Sequence, residues 1–212
     1  MCYAIIVVKI LVTAGPTWIK IDEVRILTSI FTGKTGLYLA REFAKKGHSV
    51  TLFINPHCLG QKIKGIHVIN FKYFEDFKRK VTKELKDKRY DVIIHSAAVS
   101  DYKLKKVFSA KIPSCKKSLA LELIPTQKLV KTIRRLVKGS VLIQFKLEIK
   151  RKGLLEKAYR SLKENKSDFV VANALEDLRH TYKAFLIDKH KKAISLESKK
   201  ELFLSLLGVI TP

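Results

Sequence analysis

The sequence predicts an α/β fold: a Rossmann-like, doubly wound, mostly parallel sheet with helices on both faces. Three observations carry this. Short β-branched runs recur along the chain, bounded by glycine, proline or polar residues. Between them lie stretches whose apolar residues repeat at helical spacing. The runs are apolar throughout rather than alternating, as expected of strands covered on both faces.

Lys9–Ala14 reads as the first strand, stopped by Gly15-Pro16. The wider apolar stretch, Ala4–Val8 and then Ile10–Ala14, is interrupted by Lys9 and is too short to span a bilayer. A turn at Gly15-Pro16-Thr17 follows it rather than a small-residue cleavage site. Gly36 to Lys46 reads as a helix with Leu37, Ala40, Phe43 and Ala44 on one face and Gly47 as its cap. Val50–Ile54 and His67–Phe71 read as strands, and Phe74, Phe77, Val81 and Leu85 mark the next helix. Asp91–Ser96 is a buried strand that runs into Ala97-Ala98-Val99. Leu129 to Leu136 is helical, Ser140–Phe145 extended, Leu154–Lys163 helical and Asp168–Ala172 extended. Lys183–Ile187 and Ala193–Leu196 flank a turn at Asp188–Lys192, which predicts a small β-hairpin near the C-terminus; Glu201–Leu207 reads as the last helix. Ser100–Leu119 is lysine-rich, contains Pro113 and shows no clean period. It reads as a lid-like flap, residues 100–119, within a single domain spanning 1–212.

Lys and Arg total 43 against 19 Asp and Glu, a formal net charge of +24. Such an excess attracts anions, whether nucleic acid or phosphorylated small molecules. The basic residues are scattered and form no arm, and no nucleic-acid motif with interleaved aromatics is present, so most lysines read as solvated surface. Cys2, Cys58 and Cys115 form no C-x-x-C pair. That argues against a disulfide framework or zinc site and points to a reducing, cytoplasmic setting.

Doubly wound sheets bind ligands at the carboxyl ends of their strands. The loops after Thr13, Ser96, Phe145 and Val171 are therefore the ones to inspect. Thr32-Gly33-Lys34-Thr35-Gly36 is not a P-loop, because Thr28 stands where the first glycine is required, and no G-x-G-x-x-G run exists. What remains is a glycine-containing turn that opens a helix, either a phosphate cradle or a plain helix start. Asp101 follows a buried strand directly, a place where an aspartate is also commonly a cap or turn residue. Lys111 lies in the flap, where a flexible cation can close over phosphate. Phe145 and Asn173 each end a strand.

Four segments share one resemblance. Ile10 to Phe53 reads ILVTAGPTWIKIDEVRILTSIFTGKTGLYLAREFAKKGHSVTLF, with Asp22, Val24, Arg25, Gly33, Lys34 and Gly36 in register with I-D-x-V-R and S-N-x-S-S-G-K-M-G. Asp91 to Lys111 reads DVIIHSAAVSDYKLKKVFSAK and resembles A-A-V-[AS]-D-[YF] followed by the lysine of K-I-K-K. Gln144 to Glu148 resembles G-F-[AK]-x-E, and Asp168 to Asn173 resembles D-x-I-V-A-N. Together these are similar to the phosphopantothenate–cysteine ligases. The resemblance implies nucleotide-dependent ligation, with CTP the expected co-substrate, of 4'-phosphopantothenate to cysteine through an acyl-nucleotide, in coenzyme A biosynthesis. It also implies Mg²⁺, a homodimer and no membrane partner. By position it makes Ala98, Asp101 and Phe145 nucleotide-binding, along with Thr126, Gln127 and Lys128. It assigns Thr32, Gly33 and Lys34 to phosphate, and Lys111 to the triphosphate and developing charge. It places Arg25 near substrate and dimer contact, with catalytic and substrate-binding roles, and Asn173 at the substrate.

The chain also departs from the pattern. Ser29 replaces the asparagine that helps hold the acyl-nucleotide, and so inherits a catalytic position with a hydroxyl in place of an amide. Ile19 replaces a glutamate, Thr35 a methionine, and K-I-K-K has become Lys111-Ile112-Pro113-Ser114, with Lys116 and Lys117 following. The lysines of K-L-x-x-K fall on Ser161 and Asn165. These departures define the alternative: a catalytically impaired homologue that binds nucleotide or nucleic acid. A dinucleotide oxidoreductase is disfavoured by the missing glycine fingerprint.

Overall fold

The structure, a computed structural model, describes residues 6–60, 63–115, 117–178 and 181–210. Cys2, Lys116 and the start of the Ala4–Val8 run lie outside them. The elements in chain order are β1 (Lys9–Ala14), β2 (Ile19–Lys20), β3 (Ile26–Leu27), α1 (Lys34–Lys45), β4 (Ser49–Ile54), a 3₁₀ turn at Pro56–Cys58, β5 (Ile66–Asn70) and α2 (Phe74–Asp87). There follow β6 (Val92–His95), β7 (Tyr102–Leu104), β8 (Leu123–Pro125), α3 (Leu129–Leu136), β9 (Val141–Glu148), α4 (Leu154–Asn165) and β10 (Phe169–Ala174). The last are α5 (Leu175–Leu178), β11 (Ala184–Asp188), β12 (Ala193–Leu196) and α6 (Lys199–Ile210).

The main sheet runs β12-β11-β10-β9-β6-β1-β4-β5. From β5 to β10 every pairing is parallel, while β11 and β12 join antiparallel. The chain builds outward from β1 through β4 to β5. It then crosses back to lay β6 on the other side of β1, so the strand order reverses between β1 and β6.

Alternation along the strands divides the core into layers. Ile10, Val12, Ile94, Ile143 and Val171 face α1 and α6 and pack on Leu39, Phe43, Leu202 and Phe203. Leu11, Ile93 and Leu142 point to the opposite face, against Phe77 and Val81 of α2 and Leu129 and Ile133 of α3. Val170, Ala172 and Ile187 meet Leu154, Ala158 and Leu162 of α4. Each fully buried leucine, isoleucine or phenylalanine in these layers contributes about 1.5–3 kcal/mol, and together they hold the strand ends in register.

The doubly wound sheet predicted from the pattern is present, and the strands and helices fall within a few residues of their predicted bounds. The hairpin near the C-terminus is β11–β12. It extends the edge of the main sheet rather than standing apart. Two antiparallel ribbons were not foreseen. One pairs β2 with β3, the other β7 with β8. Their strands have two or three residues each, too few to show a period. The second ribbon roots the 100–119 segment.

Candidate active site

The reversal point opens into a cleft of about 920 Å³ lined by the carboxyl ends of β1, β6, β9 and β10, the N-termini of α1 and α3, and one side of α4. The loops leaving β1 and β6 are zipped together. Ala98 N–H donates to the Gly15 carbonyl at 3.0 Å, and Thr17 N–H donates to the Ala98 carbonyl at 3.1 Å. Ser100 N–H donates to Thr17 Oγ1 at 2.9 Å. Farther on, Thr126 N–H donates to the Asp101 carbonyl at 2.8 Å and the Thr126 hydroxyl to the Ser100 carbonyl at 2.6 Å. Ala98, Asp101 and Thr126 therefore form one continuous wall.

Gly33 and Gly36 sit where no side chain would fit. A Cβ on Gly33 would lie 2.5 Å from the Gly15 nitrogen, and one on Gly36 would lie 2.3 Å from Ser96 Oγ. Gly33 adopts a left-handed φ of 68° as it caps α1. These glycines let the start of α1 sit directly against the ends of β1 and β6. Its first N–H groups, which have no partner within the helix, then face the cleft.

Six cationic side chains line the cleft, Lys34, Lys128, Lys131, Lys146, Lys157 and Arg160, against three carboxylates, Asp101, Glu148 and Glu164. Lys128 Nζ lies 2.7 Å from Asp101 Oδ1. Lys146 and Lys157 bracket Glu148 at 3.0 and 2.8 Å and hold its carboxyl below the usual range. The balance and the two helix N-termini favour an anionic ligand. His95, at the end of β6, is buried, and its Nδ1 lies 2.9 Å from Thr13 Oγ1. Burial pushes its pKa down to about 4, so the ring is neutral at physiological pH.

Of the residues singled out from the sequence, Ser29, Thr32, Gly33, Lys34, Ala98, Asp101, Thr126, Gln127, Lys128, Phe145 and Asn173 line this one cleft. Arg25 and Lys111 do not. Arg25 Nη1 lies 2.6 Å from Asp22 Oδ2, and its guanidinium donates to the Ile112 carbonyl at 3.2 Å. Lys111 is exposed beside that anchored, buried Ile112. Sequence reasoning missed His95 as a cleft residue. Gln144 appeared only within a segment that resembles the pattern and was given no role, and Ser161 and Asn165 registered only as places where the chain differs from it.

Among the described residues no group of three or more His, Cys, Asp or Glu side chains could hold a metal ion, and no helix is long and apolar enough to cross a membrane.

Residues 6–211 match the DNA/pantothenate metabolism flavoprotein C-terminal domain. The chain is 35% identical over 170 residues to the coenzyme A biosynthesis bifunctional protein CoaBC of Thermococcus kodakarensis, covering 79% of this chain and 41% of that protein. It is 30% identical over 206 residues to the CoaBC of Borreliella burgdorferi, covering 95% and 52%. The chain thus spans about half the length, or less, of these relatives. The DNA/pantothenate metabolism flavoprotein from Streptococcus pneumoniae superposes with a TM-score of 0.86 at 27% identity, covering 96% of this chain and 98% of that one. A Cab2 mutant in complex with phosphopantothenate-cysteine shares the fold, with a TM-score of 0.81 at 15% identity and coverage of 95% and 85%. With the cleft at the sheet's reversal point and the four motif segments converging on it, the chain belongs to the family of the DNA/pantothenate metabolism flavoprotein C-terminal domain.

Proposed function

We propose that the cleft joins 4'-phosphopantothenate to cysteine at the expense of a nucleoside triphosphate, CTP by resemblance. The observation that carries this reading is the cationic cleft at the reversal point, which gathers nearly all the family's motif residues around the N-terminus of α1. The relatives' naming for coenzyme A biosynthesis, and the phosphopantothenate-cysteine bound in the Cab2 mutant structure, agree with it.

A carboxylate acylates poorly until it is activated. The pantothenate carboxylate oxygen attacks the α-phosphorus, and the bond to the departing pyrophosphate breaks. The cysteine amine then attacks the acyl carbon. The anhydride C–O bond breaks, nucleoside monophosphate leaves, and the amine loses its proton. The residues supply position and charge compensation. The α1 start with Thr32, Gly33 and Lys34 holds phosphate. Asp101, Phe145 and the Thr126–Lys128 turn hold the nucleoside. Asn173 and Ser29 face the acyl group. Lys111 neutralises developing charge when the flap closes, and Arg25 seats that flap. Asp101 and Glu148 are each paired with lysine rather than grouped in a cage, so Mg²⁺ would enter with the triphosphate and would there withdraw charge from the phosphate oxygens.

We assign the subunit contact of a homodimer to the β2–β3 ribbon and the loop after it, where Val24, Ile26, Leu27 and Ile30 are exposed. The function is tested by pyrophosphate release from CTP with Mg²⁺ and phosphopantothenate. Multiple turnovers that require cysteine, with amide and CMP as products, are expected. Absence of release with CTP, ATP, GTP and UTP alike overturns the reading.

A further inference from the structure

We propose a second binding surface, at the end of the sheet opposite the cleft, that holds the phosphate backbone of a nucleic acid. It does not depend on the ligase reading.

Cations that the sequence scatters are gathered here by topology. The run β10-β9-β6-β1-β4-β5 is parallel throughout, so each loop leading from a helix into one of its strands reaches the same, amino-terminal end. These loops are residues 46–48 before β4, 88–91 before β6, 137–140 before β9 and 166–168 before β10. The turn at 188–192 joins them, because Asp188 of the antiparallel β11 pairs with Phe169 at the start of β10. In the sheet β11, β10, β9, β6, β1 and β4 are consecutive. At about 4.8 Å per strand the row is about 24 Å long.

The loops hold eight exposed cations against three carboxylates, Asp91, Asp168 and Asp188. Backbone groups engage all three acids. Asp91 Oδ2 accepts the Lys9 N–H at 2.8 Å and Asp168 Oδ2 the Leu142 N–H at 2.8 Å. Asp188 Oδ1 accepts the His190 and Lys192 N–H groups at 2.9 Å. Two of the cations are paired, Lys88 with Glu84 at 2.9 Å and Lys191 with Glu156 at 2.7 Å. Lys46, Arg89, Lys138, Lys166, Lys189 and Lys192 have no carboxylate or ring partner among the described residues. Helix C-termini attract cations, but the last turns of α1, α2, α3 and α4 already carry Lys45, Lys86, Arg135 and Lys163. The loop cations come in addition.

Chemistry selects the partner. None of these loops exposes a large apolar side chain, which the centre of a protein interface requires. Ile6 and Val7, exposed just before β1, belong to no helix that could lie in a bilayer. A row of unpaired, flexible cations suits a linear polyanion instead. Phosphates follow at about 3.4 Å along each strand of a duplex, so the row meets about seven of them. Such contacts carry no base preference.

The test is fluorescence anisotropy of a labelled DNA duplex of about 20 base pairs, with excess CTP and Mg²⁺ present as competitor for the cleft. Lys138→Glu/Lys166→Glu/Lys189→Glu should weaken binding about tenfold or more. Lys150→Glu/Lys152→Glu/Lys200→Glu, exposed at the cleft end, changes the net charge equally and should weaken binding less than about threefold. Lys138→Gln/Lys166→Gln/Lys189→Gln should lower the slope of log Kd against log salt by about two to three, since each contact contributes about 0.9. This milder variant carries the test if the first does not fold. Equal weakening by the two glutamate variants would mean that net charge acts without a surface, and overturns the inference. So does absence of binding to the duplex and to polyuridylate alike, or binding as tight to polyglutamate or to phosphatidylserine vesicles. Duplex binding lost only in the first variant, in a protein that releases no pyrophosphate, would sink the ligase reading and leave this one standing.

Discussion

Asp22 and Ile112, 90 residues apart, are joined through one peptide unit and one carboxylate: Asp22 Oδ2 accepts the Ile112 N–H at 3.0 Å. The same carboxylate takes the Val24 and Arg25 N–H groups at 2.9 and 2.8 Å, and Arg25 returns to the Ile112 carbonyl. The flap is thus pinned one residue from Lys111.

Replacing that carboxylate should free the flap. Asp22→Asn cannot accept at both oxygens, so the flap should become sensitive to limited proteolysis near Pro113 while the helices of the sheet domain stay protected. The Ile112 N–H, followed by Val24 and Arg25, holds the Asp22 pKa down to about 2. The anchor is therefore complete above the ordinary aspartate range and is lost only as pH falls from about 4 towards 2. Protease sensitivity of the wild type measured between pH 5 and 2 checks the window.

Lys111→Ala should lower kcat on the order of a hundredfold and leave the nucleotide dissociation constant nearly unchanged. Lys117→Ala, farther along the same lysine-rich segment, should leave both unchanged. Single-turnover kinetics paired with nucleotide titration separates the effects.

Gly33→Ala should abolish nucleotide binding, because its Cβ would strike the Gly15 backbone, and should cost roughly 1–3 kcal/mol of stability. Gly47 has a similar φ of 84° with nothing within 4 Å of an added Cβ. Gly47→Ala should therefore lose about 1 kcal/mol from backbone conformation alone and bind nucleotide normally. Urea denaturation and nucleotide titration of both proteins distinguish crowding from strain.

His95 predicts an acid-side loss of stability. Above pH about 6.5 the imidazole is neutral both folded and unfolded, and this group adds no pH dependence. As pH falls from there to about 4, the unfolded chain takes up a proton that the buried ring refuses. Stability should drop by roughly 3 kcal/mol over that range. In His95→Asn the drop should be smaller by most of that amount, as read from urea midpoints at pH 7.5 and 5.

Much of this architecture was legible in the residues. Runs such as Lys9–Ala14 and Val92–His95 are buried on both faces, so their apolar composition declares them. Phe74, Phe77, Val81 and Leu85 sit on one side of α2, and their spacing declares that helix. The ribbons were not legible. Two or three residues cannot show a period, and Asp22, which organises the first, acts on Ile112 through a contact that no local pattern encodes. The same limit hid the hydrogen-bonded Gln144–Ser161–Asn165 cluster. The three lie apart in the sequence, and only the packing of α4 against β9 brings them together. No linear glycine motif joins Gly15 and Gly33, so the sequence conceals that the loop after β1 and the start of α1 meet at a point of close approach.

The position of β1 also bears on how the protein comes into being. Of the sheet's strands β1 comes first in chain order and ends in the middle of the sheet, yet its partners β4 and β6 begin at Ser49 and Val92. Until β6 emerges, one long edge of β1 has no neighbour, and the cleft lacks a wall until β9 and β10 follow. During translation the nascent chain therefore carries an unpaired apolar edge from the emergence of β1 until that of β6. That edge is the place where a chaperone would be needed and where premature association between chains would begin.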